Sequence, residues 1–160
     1  MTKLRQRETL AFVAKVESLL QRAGMPTDTN VKKIAGERIR RSNGQDLVDI
    51  DVLGADAEAR TIYALECKDL EGARTPAELH NELAQTFNES RSAATRHVER
   101  VEWLAQRVPQ TLTHLGLAQP VGDWRVVGLL ITDAHVLSPY VTTCPLPVLS
   151  FAELQTRFEC

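Results

Sequence analysis

Cysteine is scarce in this 160-residue chain, and the three present (Cys67, Cys144 and Cys160) form neither a CxxC pair nor a framework of bridges. That excludes a disulfide-stapled secreted domain and the common cysteine zinc sites. No apolar run approaches the roughly 20 residues of a membrane span, and the N-terminal MTKLRQRETL lacks the apolar stretch of a signal peptide. The expectation is a cytoplasmic chain with no membrane association. No glycine-rich phosphate loop occurs, which argues against an NTPase or a dinucleotide enzyme. The four histidines (His80, His97, His114 and His135) show neither HExxH nor Cys/His zinc spacing. An excess of positive charge is also missing: 19 basic against 21 acidic side chains leave a net charge of -2. A nucleic-acid coat protein held by bulk charge is thereby excluded. Lysine is rare as well, with 5 residues against 14 arginines. Routine positive charge here is arginine, so an internal lysine such as Lys68 asks for a specific reason.

What is present is ordinary globular material, 43% hydrophobic and 25% charged, without internal repeats or linker-like tracts. One domain over residues 1–160 is expected. Between Glu8 and Ala23, Leu10, Phe12, Val13, Val16, Leu19 and Leu20 recur at helical spacing, and Gly24 and Pro26 end the pattern. Residues 31–41 read as a basic strand with Gly36 inside it. DLVDIDVLG (residues 46–54) alternates, with Leu47, Asp49, Asp51 and Leu53 on one face. RTIYALECK (residues 60–68) alternates too, with Ile62, Ala64, Glu66 and Lys68 together. After Pro76 a helical rhythm (Leu79, Leu83, Phe87, Ala94, Val98, Val101) runs to a stop at Pro109, with a break expected near Asn88–Ser92. WRVVGLLIT (residues 124–132) has the length and apolarity of a strand buried on both faces. A loop with Pro139, Pro145 and Pro147, a short strand at residues 148–150 and a helix at 151–158 follow. The fold class expected is α/β, a mixed central sheet flanked by helices.

The charged residues on the two alternating strands carry the chemistry. A hairpin turning between Glu58 and Ala59 pairs residues whose numbers sum to 117, setting Asp51 opposite Glu66 and Asp49 opposite Lys68. Directly opposed residues have Cβ atoms about 4.5–5.5 Å apart. Neighbouring carboxylates repel unless a cation intervenes, and a hard divalent ion such as Mg²⁺ or Mn²⁺ takes oxygen ligands. A lysine beside them can orient a water or stabilise charge on a phosphate. Phosphodiester hydrolysis is the reaction class that uses all three. A bare E-x-K arises by chance in roughly every second chain of this length. The alternation, the paired D-x-D and the scarcity of lysine separate this one from that background.

The segment GQDLVDIDVLGADAEARTIYALECKDL (residues 44–70) resembles the core motif of the PD-(D/E)xK nuclease superfamily, nearest to nuclease-related and Mrr-like bacterial domains. The resemblance implies a restriction-endonuclease-like fold with an α-βββ-α-β core. It implies a Mg²⁺- or Mn²⁺-dependent nuclease acting on DNA, with Asp51 and Glu66 as metal ligands, Lys68 as catalytic lysine and the Cys67 carbonyl as an extra ligand. No proline precedes the aspartate, and Asp49 stands beside Asp51 as a supporting candidate. A glutamate from the first helix and a polar residue on the helix after E-x-K are frequent in the superfamily. Glu17, flanked by Val13 and Leu20, and Gln85 are the supporting candidates for those places here.

Two basic clusters could meet phosphates: Lys32, Lys33, Arg38, Arg40 and Arg41 on the early strand, and Arg91, Arg96, Arg100 and Arg107 on the long helix. The first is the nucleic-acid-binding expectation; the second reads equally as a solvated face. The alternative to a nuclease is the same fold without catalysis, a nucleic-acid- or protein-binding module. A homodimer stays open, because nucleases that cut both strands often pair, and so does membership of a longer protein.

Overall fold

A computed structural model describes residues 3–70, 75–88, 92–118, 122–136 and 143–159. Helix α1 (Lys3–Arg22) is followed by β1 (Thr27–Val31), a two-residue hairpin β2 (Lys33–Ile34) and β3 (Glu37–Arg38), then β4 (Ile50–Asp56) and β5 (Thr61–Lys68). Next come α2 (Pro76–Leu83), extended by a π-helical turn over Ala84–Asn88, then α3 (Ala93–Ala105) and α4 (Val108–His114). Strands β6 (Arg125–Thr132) and β7 (Val148–Ser150) and helix α5 (Phe151–Phe158) complete the order. The main sheet runs β1-β4-β5-β6-β7. Its first two pairings are antiparallel and its last two parallel. This is the mixed α/β architecture expected.

Each sheet face is covered by its own helices. Phe12, Val13, Val16, Leu19 and Leu20 of α1 pack with Val52, Tyr63, Leu65, Cys67 and Leu129, joined by Phe151 and Leu154 of α5. On the other face Leu53, Ala55, Ile62 and Ala64 meet Trp103 and Leu104 of α3 and Leu112 of α4. Small residues set how close α3 comes. Gly128 of β6 lies beside Ala64 in register, and a Cβ on Gly128 would stand 2.5 Å from Val101 Cγ2. That close approach brings α3 down onto β5, where the functional side chains sit.

Several expectations change at their ends. The basic segment 31–41 is not one strand. Ala35 and Gly36 adopt left-handed backbone (φ 50° and 80°) and fold it into the β2–β3 hairpin, paired Lys33↔Arg38 and Ile34↔Glu37. Pro109 does not stop the helical region; it lies in the first turn of α4, where a missing N–H is harmless. The break before α3 is real, with Ser92 capping α3 through its hydroxyl, although residues 89–91, Arg91 among them, lie outside the described residues. So does Pro139 of the expected loop. Strand β7 and helix α5 occupy the expected residues, and Ser150 and Glu153 form a capping box that starts α5. No helix among the described residues is long and apolar enough to cross a membrane.

Candidate active site

Strands β4 and β5 pair in the register expected from the turn: Val52↔Leu65, Leu53↔Ala64, Gly54↔Tyr63, Ala55↔Ile62 and Asp56↔Thr61. Asp56 shapes that turn by accepting the N–H groups of Glu58 and Ala59, both at 2.9 Å. The ladder ends at Val52↔Leu65; Asp51 and Glu66 lie just beyond it, on the face that packs against α3. The backbone there is closed by a side chain: the Cys67 N–H donates to Asp51 Oδ2 at 2.8 Å.

Glu66 is 6% exposed, and each of its oxygens meets a cation. Lys68 Nζ lies 3.1 Å from Oε1, and Arg100 Nη1 of α3 lies 2.9 Å from Oε2. Burial pushes the Glu66 pKa up, but Lys68 and Arg100 outweigh it and hold the carboxyl below its ordinary value. Asp51 responds the other way. Burial first, and then the Glu66 charge, push its pKa up to about 7 against the weaker pull of the Cys67 N–H and Lys68. One carboxylate is thus compensated and the other lacks a full positive partner. Lys68 keeps about a third of its side chain, 31%, in contact with solvent, so the cluster opens outward at the C-terminal end of β5.

The Asp51 shift predicts a measurable asymmetry. Its folded pKa near 7 lies above the unfolded value of about 3.9. Between roughly pH 4 and 7 the unfolded chain therefore releases a proton that the folded chain keeps, so raising the pH favours unfolding. Relative to Asp51→Asn, the wild type in EDTA should lose stability across that window, with no further change above it. Urea denaturation of both proteins at several pH values measures the difference. A wild type that gains on the variant as pH rises would refute the assignment.

The other expected residues distribute unevenly. Asp49 precedes the observed start of β4 and does not face Lys68 across the ladder. Val48 takes a left-handed φ of 68°, which breaks the alternation assumed for residues 46–54 and exposes its own side chain. Asp49 stays close enough to Asp51 to push its pKa up. Glu17 is not brought to the cluster. It accepts a hydrogen bond from Thr27 Oγ1 at 2.9 Å, toward the opposite end of β4 and from the helix on the other sheet face. Gln85 is exposed on the π-helical turn. Among the described residues no group of three or more His, Cys, Asp or Glu side chains is arranged to hold a metal ion. The donor set that remains is two hard carboxylates, Asp51 and Glu66, with the Cys67 main-chain carbonyl between Glu66 and Lys68. The unbalanced charge on Asp51 fits a divalent cation.

Two residues of α3 join the cluster without having been singled out for it. Arg100 is 3% exposed and also donates from Nε to the Leu47 carbonyl at 2.7 Å. His97 is fully buried, and its Nε2–H donates to the Ala64 carbonyl at 2.8 Å. Burial is the main reason its pKa lies below the ordinary value. The signal was present in the spacing. The buried residues of α3 are Ala93, Ala94, His97, Arg100, Trp103 and Leu104, a stripe wider than the Ala94–Val98–Val101 rhythm read from hydrophobicity alone.

The basic hairpin forms one wall of a groove of about 870 Å³, with Trp103, Gln106 and Arg107 of α3 and its C-terminal end on the other side. Arg38 pairs with Asp46 at 2.6 Å, and Arg41 pairs with Glu99. Lys32, Lys33 and Arg40 are exposed. The groove lining includes Leu47, the residue whose carbonyl Arg100 holds.

No protein-family model matches the chain, and no curated protein matches it. Among solved structures, it is similar to the small subunit of the heterodimeric restriction endonuclease R.BspD6I. Sequence identity is 14%, the match covers 94% of this chain and 77% of that one, and the TM-score is 0.42. At that level the likeness carries no argument about chemistry. The sheet order and helix placement show a mixed α/β fold, a five-strand sheet flanked by helices.

Proposed function

We propose that the protein is a metal-dependent nuclease that hydrolyses DNA phosphodiester bonds. The observation that supports this most is the β4–β5 register, which brings Asp51, Glu66 and Lys68 to one sheet face at a strand end. Asp51, Glu66 and the Cys67 carbonyl would hold Mg²⁺ or Mn²⁺. Such an ion supplies Lewis acidity and offsets charge on the phosphate. The protein's own contribution is positioning. Lys68, braced by Glu66, orients the attacking water and stabilises negative charge that builds on the phosphate oxygens. Water adds to phosphorus and releases a proton to solvent, a bridging P–O bond breaks, and the leaving oxygen takes a proton from solvent. Lys32, Lys33 and Arg40 would meet the DNA backbone, with Arg38 and Arg41 at the groove wall, giving binding that weakens with salt.

One observation favours a second reading, a binding module without catalysis. Both Glu66 oxygens already meet cations, so the acid is satisfied without a metal. Incubation with plasmid and single-stranded DNA, in Mg²⁺ or Mn²⁺ and in EDTA, separates the two. Cleavage that requires the ion supports the nuclease. DNA retained without cleavage under every condition supports the module.

A further inference from the structure

We infer that Arg100 is a positioning residue for the proposed reaction: it fixes the two carboxylate-bearing segments relative to one another where the sheet no longer does. This rests on the nuclease reading. The β4–β5 ladder ends at Val52↔Leu65, yet Asp51 and Glu66 lie just beyond that last pair. Two bridges continue across the gap. One is the Cys67 N–H on Asp51. The other is Arg100, which donates from Nη1 to Glu66 Oε2 at 2.9 Å and from Nε to the Leu47 carbonyl at 2.7 Å.

The guanidinium suits this task because its donors are rigid and forked, so one side chain can hold a carboxylate and a carbonyl at a set separation. Anchoring Oε2 leaves Oε1 turned toward Lys68, at 3.1 Å, which presents a single orientation of Glu66 to the open side of the cluster. The backbone shows how firmly the other end is held. Val48, β-branched and half exposed, sits at φ 68°, a conformation such residues rarely adopt. Its N–H is fixed by Asp46 Oδ1 at 2.7 Å, while the buried Leu47 and Ile50 flank it. The left-handed turn falls between the Leu47 carbonyl that Arg100 grips and the Asp49–Asp51 segment, as expected where surrounding contacts impose a strained geometry on a site. The contacts of Arg100 are with Glu66 and the Leu47 carbonyl, and it acts through them.

The test compares wild type, Arg100→Lys and Arg100→Gln for Mn²⁺ affinity by calorimetry and for cleavage of a plasmid, with circular dichroism confirming the fold. Lysine keeps the buried positive charge but cannot span both acceptors. Orienting partners of metal ligands are worth roughly 10- to 100-fold in affinity or activity. Both variants should therefore show kcat or Mn²⁺ affinity reduced by about that factor, with KM for DNA within about threefold of wild type. Folded variants with unchanged kcat and Mn²⁺ affinity would overturn the role. Variants that do not fold would assign Arg100 to stability alone and overturn it too. A wild type that neither binds Mn²⁺ nor cleaves DNA removes the nuclease reading itself, which is a different result from an active wild type with indifferent Arg100 variants.

Discussion

Lys68→Ala should leave a folded protein that cuts DNA at least about 100-fold more slowly than wild type, within the range observed when one electrostatic stabiliser is removed from an active site. The lysine is suited to so selective an effect. Its ammonium stands 3.1 Å from Glu66 Oε1, and about a third of the side chain meets solvent, so its truncation leaves no large buried void. Glu66 keeps its second cation, Arg100, and stays compensated. The loss should appear in kcat with little change in DNA affinity, because the exposed cations of the basic hairpin remain in place. Supercoiled plasmid relaxed over a time course in Mg²⁺ measures it. Equal cleavage by wild type and variant would mean that Lys68 is only half of a cross-strand ion pair.

Glu66→Leu should have the opposite signature, a large effect on stability. Arg100 is 3% exposed and has Glu66 as its carboxylate partner. Removing that partner leaves a buried guanidinium charge with, among the described residues, the Leu47 carbonyl as its remaining acceptor. Breaking a buried pair from one side costs about 3–5 kcal/mol. Removing both partners, in Glu66→Leu with Arg100→Met, should recover much of that loss, since a buried pair replaced by apolar side chains is often neutral. Urea denaturation of the single and double variants yields the coupling. A single variant within about 1 kcal/mol of wild type would show that water reaches Arg100 and that the site is more open than its burial indicates.

Contrasting outcomes at Lys68 and Glu66 follow from what each residue touches, and the same distinction explains how far the sequence could be read. The hairpin register was legible because alternation and the turn centred between Glu58 and Ala59 both specify it, and a slip by one would bury Asp51 among Leu20, Leu65 and their neighbours on the other face. The capped helices α3 and α5 and the apolar β6 were legible for equally local reasons. Asp49 opposite Lys68 was not a sound extension, because alternation assumes extended backbone and Val48 at φ 68° departs from it. Beside that departure, the Leu47 carbonyl is held by Arg100, which lies 53 residues away in the chain. Glu17 sits at the right helical phase to face inward, yet the phase of a helix does not say which end of the sheet a side chain reaches; Thr27 does. Arg100 itself was obscured because arginine on a helix is mostly solvated. Its place four residues before Leu104 and three after His97 marks it as part of the buried stripe.

Metal binding at Asp51 and Glu66 is the step on which the rest depends, and a calorimetric titration of Mn²⁺ into wild type and Asp51→Ala addresses it directly. The account predicts saturable binding to the wild type, with the Asp51→Ala variant folded and devoid of that binding. Equal affinity in the two proteins, or no saturable binding to the wild type, would contradict it.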